Sequence, residues 1–315
     1  MYFTHSAFFV KQIIGYFCIL LPNMKLEFCP TVFFRSDLMQ IAMIQDKIVP
    51  AKELEPVYFD RGIFFGDGVY EVMRSYNGKL FALDEHLQRF TGSLSAIEIT
   101  GVDIDLIRSR ILKAFDAAGI AEAKIYFHIT RGSEPRAHIW KAGLKPNFFL
   151  TVSELSYNTR EKTQGIKVST HPDWRWKRCD IKSLNLLANV LASNDAARKG
   201  CGEAILVNET GLITEGAGSA FFAVRGQALQ TAPLTANILP SITREFAIKA
   251  GRNIGLEVIE KSLTPPQAAD SDELFIAVTT RDIVPVVKFD EAPIGDGKPG
   301  RYTKLLAREF LSFTV

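Results

Sequence analysis

Apolar residues recur along the chain with two different periods, and their alternation predicts a mixed α/β protein. From residue 39 onward, segments with helical spacing alternate with short segments in which every second residue is apolar. In the segment 124–130, Ile125, Phe127 and Ile129 alternate with more polar residues, which is typical of a half-buried strand. Further strands are predicted at 148–152, 166–170, 204–207, 212–214, 219–224, 273–280 and 283–289.

Other segments have the apolar spacing of helices, or the start and stop signals of helices. In 104–118, Ile107 and Ile111 share one face, and a glycine follows as a stop signal. Asp84 and Ser241 are each predicted to cap a helix. The remaining predicted helices are a terminal one from Arg301 and one over 183–199, whose apolar face carries Leu184, Leu187, Ala188 and Leu191.

A polar segment with little pattern, 154–165, is the natural place for a domain boundary. We therefore expect a small N-terminal α/β domain over 39–158 and a larger C-terminal domain over 159–315. Residues 1–38 hold few charges and an apolar run too short to span a bilayer. We interpret 1–38 as an extension outside the fold, included by a wrong start codon, with a signal or anchor segment as the alternative.

Composition and charge argue against several classes of protein. The 315 residues are 47% hydrophobic and 23% charged, which is typical of a soluble globular protein. A formal net charge of +2 gives no reason to expect nucleic acid or a membrane surface as partner. The four cysteines form no C-x-x-C pair and no metal-ligand spacing. We therefore expect reduced thiols, a cytoplasmic location and no bound metal.

Lys182 is the first candidate for chemistry, because it follows a tight connection and precedes the apolar helix predicted over 183–199. Schiff-base formation needs a neutral amine, and partial burial favours the neutral form of a lysine. A surface lysine near a helix cap would have the same local sequence. The segment alone leaves both interpretations open.

Glu215 is the second candidate. It ends a predicted strand and is followed by Gly216, Ala217 and Gly218. Small residues let the backbone approach a ligand closely. A carboxylate beside a pyridine nitrogen would keep that nitrogen protonated and the ring electron-withdrawing. An ordinary turn glutamate is the alternative.

Two places could bind a phosphate group. Arg89 lies on the first predicted helix, and a guanidinium matches phosphate oxygens in bidentate geometry. Ser241, Ile242 and Thr243 open another helix, whose N-terminal N–H groups attract anions. Thr279 ends a strand and could add a donor. A surface arginine and an ordinary helix cap are the alternatives.

Taken together, these segments resemble the class IV aminotransferases in order and spacing over roughly residues 41–312. The motifs are Asp60–Val72, His86–Arg89, Cys179–Leu187, Thr214–Gly216 and Ile242–Arg244. The resemblance implies fold type IV, in which the larger domain has a β-barrel-like core. It also implies pyridoxal 5′-phosphate as cofactor, bound to Lys182 as an aldimine.

Roles for further residues follow from the same resemblance. Lys182 would also be the general acid–base, and Glu215 would stabilise the pyridinium. Glu203 matches a family position close to the lysine and would tune it. The other cofactor-binding residues implied are Arg89, Ile242, Thr243, Thr279 and Ser219.

One loop indicates the substrate. Arg136 and His138 resemble the Arg-x-His loop of the D-amino-acid aminotransferases. In that family these residues come from the neighbouring subunit and hold the substrate α-carboxylate together with a tyrosine, here Tyr70. An arginine, a ring N–H and a phenol provide enough donors for a carboxylate. The resemblance implies a homodimer that converts D-alanine and 2-oxoglutarate to pyruvate and D-glutamate.

Some positions depart from that pattern, and other functions stay open. Ala217, Gly218 and Ala220 replace residues that are usually serine or asparagine, and Val278 replaces a serine. The alternatives are a branched-chain L-aminotransferase, an R-selective amine transaminase, an aminodeoxychorismate lyase, or a protein that binds the cofactor without catalysis. Candidate walls of the pocket are Trp140, Trp174 and Trp176.

Overall fold

The computed structural model describes residues 40–156 and 159–314, so the extension predicted over 1–38 lies outside the described residues. The chain divides into two units at Leu54. The described part of the first unit contains a hairpin of β1 (Ile41–Ile44) and β2 (Lys47–Pro50). Gln45 takes the left-handed conformation, with φ 51°, in its two-residue turn.

The second unit begins with a four-stranded antiparallel sheet, in the order β4-β3-β5-β6. Helices pack on one face of the sheet, where Met73, Phe90, Ile111 and Phe127 are completely buried. The predicted alternation over 124–130 is confirmed. The elements are α1 (Arg61–Phe65), β3 (Gly68–Tyr76), β4 (Lys79–Leu80), α2 (Leu83–Ala96), α3 (Ile104–Ala118), β5 (Ala123–Thr130) and β6 (Asn147–Glu154).

A nine-stranded mixed sheet follows, in the order β12-β11-β10-β13-β14-β7-β8-β9, with β15 paired to β14. Parallel pairs join β7 to β8 and β14, and β11 to β12; the other pairs are antiparallel. Its elements are α4 (Thr159–Gln164), β7 (Ile166–Pro172), α5 (Leu187–Arg198), β8 (Glu203–Val207), β9 (Ile213–Gly216), β10 (Ala220–Arg225), β11 (Ala228–Thr231), α6 (Ile242–Asn253), β12 (Glu257–Glu260), α7 (Pro265–Ala269), β13 (Glu273–Val278), β14 (Asp282–Phe289), β15 (Ala292–Pro293) and α8 (Arg301–Ser312).

Both faces of this sheet are covered by apolar side chains. Phe222 stacks on Phe275 with ring centroids 4.7 Å apart, beneath residues of α6 and α8 such as Phe310. The neighbouring Phe221 belongs to a second core with Val284 on the opposite face. Successive residues of a strand point to opposite faces, so the apolar run in β10 is required by a sheet buried on both sides.

Two predictions about helix starts are wrong. Asp84 does not cap α2, which begins one residue earlier after Ala82. The helix predicted from Ser183 begins only at Leu187, because the backbone of Ser183 pairs with β3 instead. The apolar face predicted for this helix is not a core face of this chain, since Leu187 and Leu191 are 68% and 48% exposed.

The other predicted strands and helices are confirmed to within a few residues. Gly119 ends α3 in the left-handed conformation, and the Ser241 hydroxyl caps α6. The domain boundary expected at residue 158 stays a prediction. None of the helices in the described part of the chain has both the length and the apolar composition that crossing a bilayer requires.

Candidate active site

The backbone of Lys182 is fixed from the side of the four-stranded sheet. The Lys182 amide donates to the Ser93 hydroxyl of α2 at 3.2 Å, and its carbonyl accepts from the amide of Tyr70 at 3.0 Å. The preceding Ile181 is buried in the core of that sheet. Lys182 is thus held by tertiary contacts. The sequence pattern predicted instead that Lys182 lies at the start of a helix.

The Lys182 side chain lines a cavity of about 280 Å³. Six of the predicted site residues line it: Lys182, Tyr70, Arg89, Glu215, Ser219 and Thr279. The Lys182 Nζ donates to the Tyr70 hydroxyl at 3.3 Å and lies 4.3 Å from the centroid of the same ring. The structure therefore brings an amine, a phenol, a carboxylate and a guanidinium to one cavity.

Glu215 lies at the end of β9 and is buried. Its Oε1 accepts from Arg175 at 2.5 Å and from the amide of Leu239 at 3.1 Å. Burial raises the pKa of the Glu215 carboxyl, and the Arg175 guanidinium opposes that shift. No described residue donates to Oε2, so this oxygen can accept a hydrogen bond from a ligand.

Arg89 is oriented by a completely buried carboxylate, Glu71. Its Nε and NH2 donate to the two oxygens of Glu71 at 2.7 and 2.6 Å, and NH1 donates to the carbonyl of Pro240 at 3.0 Å. Burial opposes ionisation of Glu71, but Arg89 and His86 lower the pKa of its carboxyl to about 2. Of the five N–H groups of Arg89, two have no acceptor among the described residues and are available to an anion.

The start of α6 approaches the same cavity. Ser241 lines it, and its hydroxyl accepts from the amide of Arg244 at 3.2 Å. Ile242 and Thr243 are buried and, among the described residues, lie behind those that line the cavity. The hydroxyl of Thr243 lies 3.4 Å from that of Thr279.

Ser219 lines the cavity, but its hydroxyl is already used. It donates to Glu203 at 2.8 Å, and Glu203 also accepts from Arg281 at 3.3 Å. Burial raises the pKa of the Glu203 carboxyl. The role predicted for Glu203 in tuning Lys182 stays a prediction.

Arg136 and His138 lie elsewhere, on the exposed loop between β5 and β6. Both pack against the Phe65 ring, the Arg136 guanidinium carbon 5.0 Å and the His138 ring 5.4 Å from its centroid. Arg61 donates to the carbonyl of His138 at 3.1 Å. Neither Arg136 nor His138 is among the residues described as lining this chain's cavity.

Comparison with known proteins identifies the family. The sequence pattern described as "Amino-transferase class IV" matches residues 68–289. The chain belongs to the class IV aminotransferases. This membership confirms the expected pyridoxal-phosphate-dependent aminotransferase.

Two curated relatives and one solved structure indicate how close the similarity is. The D-alanine aminotransferase of Bacillus licheniformis is 39% identical over 249 residues, covering 78% of this chain and 87% of that protein. The D-alanine aminotransferase of Staphylococcus haemolyticus is 35% identical over 274 residues, covering 86% and 97%. The branched-chain aminotransferase of Escherichia coli superposes with a TM-score of 0.77 at 25% identity, covering 85% and 92%. This superposition confirms the expected fold type IV.

The cavity fits the cofactor of the class IV aminotransferases. Its volume lies near the lower end of the roughly 300–1,000 Å³ found for small-molecule pockets. Glu215 Oε2 is available to a ring N–H, Arg89 has two available N–H groups for a phosphate, and Lys182 is the amine beside them. These three groups match the ring nitrogen, the phosphate and the aldehyde of pyridoxal phosphate.

Three residues that lie at or behind the cavity received no role from the sequence: Glu71, His86 and Arg175. Glu71 and His86 fall within the family motifs, but no role was assigned to them. A signal was present, because Glu71 is a charge inside an apolar strand and a buried charge needs a partner. Arg175 gave no such signal, since it lies 40 positions from Glu215 along the chain.

The three tryptophans proposed as pocket walls differ in position. Trp176 lines the cavity. Trp174 packs edge-on against the ring of His171 with centroids 4.7 Å apart, and Trp140 lies 3.9 Å from the guanidinium carbon of Arg131. Only Trp176 of the three is among the cavity-lining residues of the described chain.

Proposed function

We propose that this protein transfers the amino group of D-amino acids to 2-oxo acids, of the type D-alanine plus 2-oxoglutarate to pyruvate plus D-glutamate. The observation that carries the proposal is the Lys182 amine, 3.3 Å from the Tyr70 hydroxyl in a cavity that also presents Glu215 and Arg89. The choice of the D-series is supported by the two relatives, which are D-alanine aminotransferases.

The predicted site residues of the cavity have separate tasks in this reaction. When bound, pyridoxal phosphate supplies an aldehyde that condenses with amines and a ring that withdraws electrons from the carbon losing its proton. Glu215 Oε2 would hold the N–H of that ring, and Arg89 with the start of α6 would bind the phosphate. Lys182 Nζ takes the α-proton of the amino acid, and its position beside the Tyr70 hydroxyl orients it for this transfer.

We further propose a homodimer in the cytoplasm, with active sites shared between subunits. Arg136 and His138 are exposed and lie away from the cavity of their own chain, as residues supplied to a partner's cavity would. The exposed apolar side chains of Leu187 and Leu191 on α5 are suited to burial by a second subunit. We propose D-amino acids and 2-oxo acids as substrates, and neither nucleic acid nor membrane as a partner.

A second candidate is a branched-chain L-aminotransferase, because the superposed Escherichia coli structure has that name. The two candidates are separated by one assay. The purified holoenzyme is given 2-oxoglutarate with either D-alanine or L-leucine, and the chirality of the glutamate formed is measured. We expect pyruvate and D-glutamate. Formation of L-glutamate from L-leucine, with no turnover of D-alanine, would establish the second candidate.

The role of Lys182 is tested by Lys182→Ala. We expect loss of the visible absorbance of the covalently bound cofactor and of nearly all turnover, because the variant lacks the amine for both attachment and proton transfer. The control is Lys177→Ala, which alters an exposed lysine of the same segment. If Lys182→Ala keeps both absorbance and turnover, the assignment of the site is wrong.

A further inference from the structure

Arg175 lies between two carboxylates beside the cavity and is not explained by the roles above. Its Nε and NH2 donate to the two oxygens of Asp173 at 2.9 and 2.8 Å, and NH1 donates to Glu215 Oε1 at 2.5 Å. The side chains of all three residues are less than a tenth exposed. Asp173 thus orients the Arg175 guanidinium, and the guanidinium in turn binds the Glu215 carboxylate.

Asp173 is itself anchored. It accepts from the Thr214 hydroxyl at 2.9 Å and from the Arg175 amide at 3.1 Å, and its own amide donates to the carbonyl of Val207 at 2.8 Å. Thr214 and Val207 belong to neighbouring strands of the nine-stranded sheet. The two parallel hydrogen bonds to Asp173 therefore fix the plane of the Arg175 guanidinium relative to the sheet.

The three charges of this cluster do not balance one another. Two carboxylates, Asp173 and Glu215, share one guanidinium, so the ionised cluster has a net charge of −1. The Lys182 amine of the same cavity acts on Glu215 through its charge but does not donate a hydrogen bond to it. Oε1 of Glu215 is occupied by Arg175 and Leu239, whereas no described residue donates to Oε2. Oε2 can therefore accept a positively charged donor from a ligand in the cavity.

We propose that Arg175 is a positioning residue, which fixes Oε1 of Glu215 and keeps the carboxylate ionised so that Oε2 can accept the N–H of a protonated ring nitrogen. The proposal rests on the proposed function, because that function requires a cofactor with such a ring. Binding of the protonated ring brings the cluster with Asp173 to electrical neutrality.

The test compares the binding of two cofactors to the apoenzyme. One is pyridoxal phosphate, and the other is its analogue in which a C–H group replaces the ring nitrogen and cannot donate to Glu215. The dissociation constants of both are measured for the wild type, Arg175→Leu and Arg175→Lys. The matched control is Arg178→Leu, because Arg178 also forms a two-point contact with a carboxylate, that of Asp180, but is 52% exposed.

We expect the wild type and Arg178→Leu to bind pyridoxal phosphate about tenfold more tightly than the carbon analogue, which is the ratio for one charge-assisted hydrogen bond. Arg175→Leu should reduce that ratio to near one, and Arg175→Lys should restore part of it. A merely structural role for Arg175 would weaken both ligands equally and leave the ratio unchanged. That result would overturn the proposal.

A failure of the proposed function gives a different result. If the wild type binds the two compounds equally, Glu215 does not hold the ring nitrogen, and the role of Arg175 falls with it. If Arg175→Leu does not fold, as judged by circular dichroism, Asp173→Asn provides the same test, since it releases the guanidinium but retains its charge. A ratio lowered in Asp173→Asn supports the proposal, and an unchanged ratio overturns it.

Discussion

Glu71 shows how a residue that is not among those lining the cavity can position one that is, Arg89. It is a carboxylate with no exposed surface, placed in the middle of an apolar strand and paired with Arg89 and His86. An isolated buried charge would be very unfavourable, so this residue is kept ionised by its two partners. Its contribution is to orient the Arg89 guanidinium, for which we propose phosphate binding.

We predict that Glu71→Gln destabilises the fold by about 3 kcal/mol at neutral pH, because Arg89 loses a buried partner. The pKa of Glu71 is about 2 in the fold, below its ordinary value of 4.5. As the pH falls, Glu71 is therefore protonated in the unfolded chain before it is protonated in the fold. The stabilisation by ionised Glu71 is complete above about pH 4.5 and is lost as the pH falls towards 2. Urea unfolding at pH 7 and pH 3 measures both effects.

The control for this experiment is Glu209→Gln, which alters an exposed glutamate. We expect its stability to stay close to that of the wild type at both pH values. For Glu71→Gln, the difference from the wild type should be smaller at pH 3 than at pH 7. A difference that does not change with pH would show that the ionised pair does not contribute in this way.

The sequence indicated best those cavity-lining residues whose proposed partner is a ligand. Lys182, Glu215 and Arg89 are recognisable because their proposed tasks require a particular functional group near a particular type of turn or helix. Arg175 and Glu71 act on other protein groups, and the identity of such a partner depends on contacts between distant segments. No local pattern contains that information.

At the scale of elements, the short helix α1 is linked to the cavity through Gly66, the residue that follows it. Gly66 ends α1 with φ 64°, and a Cβ there would lie 3.3 Å from the backbone of Asn185, which lines the cavity. Gly119 ends α3 with nearly the same φ, 62°, but has nothing within 4 Å of a Cβ. The two glycines share the left-handed backbone conformation. They differ in the space for a side chain, because only Gly66 lies close to another part of the backbone.

We predict that Gly119→Ala costs about 1 kcal/mol of stability, the usual cost of a left-handed alanine. Gly66→Ala should cost more, because its methyl group must displace the backbone of Asn185, and it should also weaken pyridoxal phosphate binding. Urea unfolding and the dissociation constant of the cofactor measure these effects. Equal costs for the two variants, with unchanged cofactor binding, would contradict the prediction.

Element boundaries were predicted well wherever a local signal decides them. Ser241 caps α6 and Gly119 ends α3 because hydroxyl capping and left-handed glycine act within one turn. The start of α5 was missed because Leu184 donates to the carbonyl of Gly68, more than a hundred positions earlier. A strand-like contact of that range overrides the helical preference of the segment.

At the scale of the whole molecule, the order of the nine strands could not be derived from the sequence. Parallel pairing of β7 with both β8 and β14 joins segments that lie far apart in the chain. The apolar pattern predicts that a strand is buried, but it does not specify its neighbour. For the same reason, the exposed apolar face of α5 supports the proposed interface without defining the partner surface.

The proposed exchange of residues between subunits is tested by mixing two inactive variants. Lys182→Ala and Arg136→Ala homodimers each lack one part of every site. In a mixed dimer, the cavity of the Arg136→Ala subunit has Lys182 and receives an intact Arg136 from its partner. We expect unfolding and joint refolding to restore about a quarter of the wild-type sites, given random pairing.

The corresponding control is each variant refolded alone, which should stay almost inactive. Arg136→Ala homodimers should still bind pyridoxal phosphate, because Arg136 lies away from the cavity of its own chain. No recovery of activity in the mixture, with dimers confirmed by light scattering, would show that the carboxylate-binding loop does not act across the interface.

The backbone contacts around Lys182 have a consequence for motion. The Tyr70 amide donates to the carbonyl of Lys182, and the amide of Leu184 donates to the carbonyl of Gly68. Two backbone hydrogen bonds thus join the two segments, one at Tyr70 and Lys182 themselves and one two residues away. Loops that are not joined in this way move independently on timescales from nanoseconds to microseconds. We therefore expect a backbone movement at Tyr70 to be accompanied by one at Lys182, which would keep the phenol and the amine close together when other parts of the cavity move.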